Sequence, residues 1–178
     1  MNLNISISEA TQPNVLPLDS INYLLSSLSP NAPAITNDVL RELIEEPATR
    51  LLLATINAPS VKERSSGGGV VSGGGTAGED EEKIVGMLTL AVFRIPSGVR
   101  AWIEDVVVDT EARGRGIGAA LVRRAIEIAQ ESGARTVDLT SRPSREAANK
   151  LYQKLGFEQR STNVYRYTIE TGTPLYKD

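Results

Sequence analysis

DVVVDTEARGRGIGA, residues 105–119, is the stretch whose reading decides the fold. Val106, Val107 and Val108 form a β-branched run suited to a strand, and a polar turn follows. Gly114, Gly116 and Gly118 then stand at alternate positions before a strongly helix-forming segment. The order reads strand, glycine loop, helix. Glycines let the backbone turn tightly and approach a ligand closely, while the helix beyond offers unpaired N–H groups and the positive end of its dipole. An anion belongs at such a place, and a pyrophosphate suits both the loop and the helix start.

Working outward, residues 99–108 read as the strand entering the loop. KIVGMLTLAVFRI, 83–95, reads as another, and the turn chemistry of Pro96-Ser97-Gly98 returns the chain antiparallel. Beyond the loop, residues 116–132 have helical spacing, with Ile117, Leu121 and Ile128 inward and Arg123, Arg124, Glu127 and Glu131 outward; Gly133 is a natural stop. TVDLT, 136–140, makes a short strand. Ser144 is then the expected cap of a helix running to Leu155, with Gly156 as terminator. On that helix Arg145, Asn149 and Tyr152 lie at i, i+4 and i+7 and share a face able to line a cleft. FEQRSTNVYRYTI, from Phe157, reads as two short final strands joined at Ser161 to Asn163.

Towards the N-terminus, LNISIS (3–8) alternates like a half-buried strand. Asp19 or Ser20 is the expected cap of a helix bearing Ile21, Leu24, Leu25 and Leu28, and Asn37 that of a second bearing Val39, Leu40, Leu43 and Ile44. RLLLATI (50–56) reads as a buried strand. Residues 57–82 hold seven of the fifteen glycines, four serines and the acidic run EDEE. This stretch is expected to be a flexible, solvent-exposed insertion, because few of its residues can pack. GGGVVSGGG lacks the following helix of a nucleotide loop.

The expectation is therefore one α/β (α+β) domain over 1–178. It has a mixed, mostly antiparallel twisted sheet of about six to seven strands with helices on both faces. At 178 residues the chain is the length of a single core. Apolar residues at 40% and charged residues at 23% are ordinary for a soluble protein, and no apolar run reaches membrane-spanning length. No signal-peptide pattern opens the chain, so an intracellular, cytoplasmic location is the default expectation. The sequence has no Cys and no His, which excludes disulfides, a thiolate nucleophile and an imidazole base. No metal is expected, and proton transfer is left to Asp, Glu, Lys, Tyr or water. The net charge of −3 argues against a nucleic-acid partner. It is unevenly spread: Arg113 to Arg166 holds eleven Lys or Arg against five Asp or Glu, so the basic part begins at the glycine loop.

These residues together resemble a known family. Arg113-Gly114-Arg115-Gly116-Ile117-Gly118 resembles the Arg/Gln-x-x-Gly-x-Gly/Ala acyl-CoA signature of the GNAT N-acetyltransferase superfamily. The preceding IEDVVVD and the later segment Asn149 to Phe157, NKLYQKLGF, are similar to that family's strand and Tyr-bearing helix in order and spacing. The likeness covers residues 99–167 well and the N-terminal half only by its β, α, α, β order. The nearest competitor is a dinucleotide loop of the G-x-G-x-x-G type. It predicts parallel βαβ units upstream, which are missing, although Asp138 stands about where its acidic partner would.

The resemblance implies acetyl-CoA as cosubstrate and a primary amine as acceptor. It puts the main chain of Arg115 to Ala119 (Arg115, Gly116, Ile117, Gly118, Ala119), after Gly114, around the pyrophosphate, with Arg113 and Arg115 adding charge. It sets Val106, Val107 and Val108 beside the pantetheine arm as an added strand. Ser141 and Asn149 are implied near cofactor or substrate, and Tyr152 as proton donor to the departing thiolate and a further cofactor contact. Amine attack needs a carboxylate to collect the ammonium proton, for which Glu104 and Asp105 are the candidates. Neighbours on a strand point to opposite faces, so a bulge is needed if both are to reach the cleft. The acceptor stays open among a small amine, polyamine, aminosugar, amino acid or protein amine. The final strands could support a homodimer, again only by resemblance. A non-catalytic acyl-CoA-binding or sensor module is the alternative, against which the joint retention of Glu104, Asp105 and Tyr152 argues.

Overall fold

The computed structural model describes residues 4–58 and 81–169. In chain order the elements are β1 (Ile5–Glu9), α1 (Leu18–Leu28), α2 (Asn37–Glu45), β2 (Thr49–Ala58), β3 (Glu81–Ile95), β4 (Gly98–Val108), α3 (Ile117–Glu131), β5 (Ala134–Leu139) and α4 (Glu146–Lys154). One sheet of order β1-β2-β3-β4-β5 holds all these strands. The first four are antiparallel neighbours, and β5 joins β4 in parallel through α3.

The continuous apolar run in β2 arises because both faces of the sheet are covered. Leu52 and Ala54 join Val85, Leu88, Leu90, Ala101 and Ile103 under α3, whose Ile117, Leu121, Val122 and Ala125 complete that cluster. Leu51 and Leu53 point the other way, to Ile21 and Leu24 of α1 and Leu40 of α2. Leu24, Leu40, Leu52, Leu88, Leu90 and Leu121 are fully buried, each stabilising the fold by about 1.5–3 kcal/mol relative to exposure. Asn22 clips the loop between the two helices: its Nδ2 donates to Ile35 O (3.1 Å) and its Oδ1 accepts from Ile35 N–H (2.9 Å).

Several expectations are corrected. Among the described residues the sheet has five strands rather than six or seven, and residues 158–169 form no ladder. Val164, Tyr165, Tyr167 and Ile169 are exposed there. A strand exists only through its partner's hydrogen bonds, so β-propensity in that segment is not enough. The expected insertion starts later and ends earlier, since Asn57 pairs with Glu82 and Ala58 with Glu81 in the β2–β3 ladder; residues 59–80 lie outside the described residues. Caps also shift. Thr36, not Asn37, caps α2 by accepting from Val39 N–H (3.3 Å). Neither Asp19 nor Ser20 caps α1, which starts at Leu18 after Pro17, and α4 starts after Arg145 with no side-chain cap from Ser144.

Candidate active site

Two departures from regular β-structure create the site. In the β3–β4 ladder, Met87 pairs with Val107 and Thr89 with Glu104, so Leu88 alone faces both Asp105 and Val106. This is a β-bulge. Asp105 carries φ +51°, the left-handed region that a short polar side chain tolerates better than a branched one. The extra residue resets the pleat: Ile103 lies in the α3-side cluster and so do Val106 and Val108, while Val107 lies in the opposite one. Glu104 and Asp105 are both exposed.

The second departure is the end of the parallel ladder. Its last rung is Ile103 with Leu139, whereas β4 continues to Val108. Glu104 to Val108 therefore present main-chain groups on the side that β5 leaves, an edge of the kind that accepts an added strand. That edge opens into a cavity of about 890 Å3, lined by Val106 to Val108, Arg113, Gly114 and Gly116 to Ala119, with α4 opposite and Leu28 at one end.

At the loop, Gly114 and Gly116 take φ +76° and +83°, and a Cβ on either would meet nothing within 4 Å. These two are needed for backbone conformation. Gly118 is needed for space, because a Cβ there would lie 3.3 Å from Leu151 Cδ2 and 3.7 Å from Val108 Cγ2. The first bond of α3 runs from Ala120 N–H to Gly116 O (3.0 Å), which leaves the N–H groups of Ile117, Gly118 and Ala119 without helical acceptors. No acidic side chain occupies the first turn. Among the described residues Arg113, Arg145, Lys150 and Lys154 line the cavity against the single carboxylate of Glu146. Free N–H groups, a dipole end and surplus cationic charge fit a polyphosphate.

The loop is anchored from behind by Asp109, 2% exposed. Its Oδ1 accepts from Glu111 N–H (3.1 Å), and Lys83 Nζ lies 3.5 Å from Oδ2. Arg113, expected on phosphate, donates its Nε to Val108 O (3.1 Å), tying the loop to the strand end. Arg115 is exposed and lines neither this cavity nor the one next to it.

A second cavity, of about 1230 Å3, lies along β5 and includes Trp102, Ser141, Asn149 and Phe157. Tyr152 lines both. Its ring meets Phe157 edge-on, with centroids 5.9 Å apart. Burial pushes the Tyr152 phenol above its usual value near 10, with the charge of Arg145 pulling the other way. The phenol therefore keeps its proton at neutral pH. Ser141 Oγ is buried without a hydrogen-bond partner among the described residues, and a buried hydroxyl left so is a place for a ligand's polar atom. Asn149 spends its Nδ2 on Arg142 O (3.0 Å), shaping the turn into α4.

Glu104 and Asp105 line neither cavity. Glu104 instead accepts from Trp102 Nε1 (2.8 Å). Sequence reading passed over Trp102, although its i, i+2 spacing to Glu104 on a strand was a visible signal. It placed Arg145 on the cleft-lining face of the Tyr152 helix but not its bond to Leu28 O, which Nη2 reaches at 3.4 Å, and no periodicity announces a contact across 117 positions.

The model of the acetyltransferase (GNAT) family matches residues 37–157. The chain belongs to the GNAT acetyltransferase family. A probable glucosamine 6-phosphate N-acetyltransferase 2 from Oryza sativa subsp. japonica is 45% identical over 65 residues, 36% of this chain and 37% of that protein. Glucosamine 6-phosphate N-acetyltransferase 1 of the same plant is 31% identical over 148 residues, 81% of this chain and 76% of the relative. The chain thus spans little more than a third of the first and about three quarters of the second. A solved aminoglycoside N-acetyltransferase in complex with CoA shares the fold at TM-score 0.69 and 14% identity, covering 94% of this chain and 97% of that one.

Proposed function

We propose that the protein transfers an acetyl group from acetyl-CoA to a primary amine bound beside it. The observation that carries this reading is the position of Tyr152, a phenol that keeps its proton and lines both cavities. The cavity at the glycine loop suits the nucleotide end of the cosubstrate: N–H groups of Ile117 to Ala119 for pyrophosphate, cationic side chains for the remaining phosphate, and the main-chain edge that β5 leaves at Val106 to Val108 for the pantetheine amides. Acetyl-CoA supplies an activated thioester.

An amine with a pKa near 10 arrives mostly as ammonium, so a carboxylate must take its proton before nitrogen attacks the thioester carbon. Glu104 is the proposed base, with Asp105 beside it on the bulge. As the C–S bond breaks, the sulfur leaves with the electron pair and takes the Tyr152 proton, while the second proton on nitrogen passes to water, from which the phenolate is reprotonated. Neither step calls for a metal.

An amino sugar is the first acceptor class to test, because a glucosamine 6-phosphate N-acetyltransferase aligns with 81% of the chain. The deciding experiment measures thiol release from acetyl-CoA with glucosamine 6-phosphate, an aminoglycoside, spermidine, free amino acids and peptide N-termini. Amine-dependent release is expected with at least one class. Binding of acetyl-CoA without turnover on any of them would leave a binding module, and no binding would sink the reading altogether.

A further inference from the structure

We infer that Trp102 is a positioning residue for Glu104, an inference that rests on the proposed role of Glu104 as base. The two side chains leave β4 on the same face, opposite to Ala101 and Ile103, whose side chains join the α3-side cluster. Trp102 Nε1 donates to Glu104 Oε1 at 2.8 Å.

The residues differ in how firmly they are held. Trp102 sits inside the parallel ladder, paired with Asp138, and the final rung is the next residue, Ile103 with Leu139. Glu104 is the first residue beyond that rung, exposed and next to the bulge. A carboxylate there has solvent on several sides and a flexible stem. A donor fixed on the ladder selects one orientation, as a supporting shell does for a functional group. Trp102 also lines the cavity shared with Tyr152, whereas Glu104 does not. The indole is thus the side chain that joins the carboxylate to the cavity.

The chemistry of the donor suits a base. The indole N–H is neutral and only donates. It can hold Oε1 as a carboxylate oxygen and, more weakly, as the carbonyl oxygen of the protonated acid, so the bond survives proton transfer. Arginine or lysine in its place would favour the anion and oppose proton uptake. With Oε1 engaged, Oε2 is the atom left to take the ammonium proton. It later passes that proton to solvent, to which Glu104 is open.

The test compares Trp102→Phe, Glu104→Gln and the double variant with the wild type, using acetyl-CoA and the amine turned over fastest in the panel above. Trp102→Phe should lower kcat ~10-fold or more, a part of what a general base supplies, while the KM for acetyl-CoA stays within about twofold. In the Glu104→Gln background the same change should cost no more than about twofold, because it acts through Glu104. Unchanged kcat in Trp102→Phe, or full multiplicative losses in the double variant, would overturn the inference. Normal kcat in Glu104→Gln would instead remove Glu104 as base. A second measurement needs no acceptor: Trp102 is the chain's single tryptophan, so its emission reports the contact. Glu104→Ala, which removes the acceptor altogether, should change that emission at neutral pH, and identical spectra would refute the contact.

Discussion

Gly118 and Leu151 meet where α3 begins and α4 passes: a Cβ on the glycine would stand 3.3 Å from Leu151 Cδ2. That distance is tighter than an ordinary van der Waals contact, so a bulkier side chain must push α4 away from the helix start that holds the proposed pyrophosphate. Gly118→Val is expected to weaken acetyl-CoA binding ~10-fold or more by calorimetry, since misplacing a preorganised anion site costs affinity directly. Gly118→Ala should cost less, because Leu151 is a flexible partner. Equal affinities in all three proteins would refute the close-approach reading.

Tyr152→Phe should reduce kcat by ~100-fold, a typical contribution of general acid–base catalysis, and leave the dissociation constant of acetyl-CoA within about twofold. Stopped-flow acetyl transfer and equilibrium binding separate these outcomes. A variant that loses binding in proportion to rate would make Tyr152 a wall of the cavity and no more.

The raised pKa of the same phenol has a consequence for stability. The unfolded chain releases this proton near pH 10, before the folded one does, so above about pH 10 the native state binds more protons and stability falls as pH rises. Below that pH both states keep the proton and the group contributes no pH dependence. Denaturant melts of wild type and Tyr152→Phe should run parallel from pH 6 to 9 and diverge above 10, with the wild type falling faster. Parallel behaviour at high pH would mean that the ring is better solvated than its surroundings indicate.

Asp109 anchors the loop from a nearly water-free position, accepting from Glu111 N–H and facing Lys83. Asp109→Ala is expected to destabilise the protein by about 2 kcal/mol, through a lost cap and an ammonium without its partner. Thermal unfolding measures this. The same variant should raise the KM for acetyl-CoA, because the loop it anchors begins the proposed phosphate site.

Asn22→Ala removes both bonds to the main chain of Ile35 and is expected to cost about 1–2 kcal/mol. Amide exchange should quicken at Ile35 and its loop neighbours while the core strands keep their protection. Uniformly faster exchange would show that the clip supports the whole α1–α2 layer.

Much of this protein was legible in its residues taken alone. The glycine loop, the helix after it, the hairpin of β3 and β4 and the two-sided burial of β2 all follow from local chemistry: backbone freedom, turn residues and the period of apolar side chains. The Tyr152 helix was readable for the same reason, since i, i+4 and i+7 share a face in any α-helix. Only the tertiary structure decided the rest. No residue type announces that Asp105 will adopt a left-handed conformation; the bulge follows from fitting β4 against β3 while each face keeps its own core. The parallel ladder ends at Ile103 because β5 is short and the chain turns towards α4, a matter of distance between segments rather than of propensity. The buried hydroxyl of Ser141 and the place of Tyr152 at the meeting of two cavities both depend on that separation. For the same physical reason Val164 to Ile169 stayed out of the sheet: strand-forming residues become a strand only when another main chain supplies the missing hydrogen bonds.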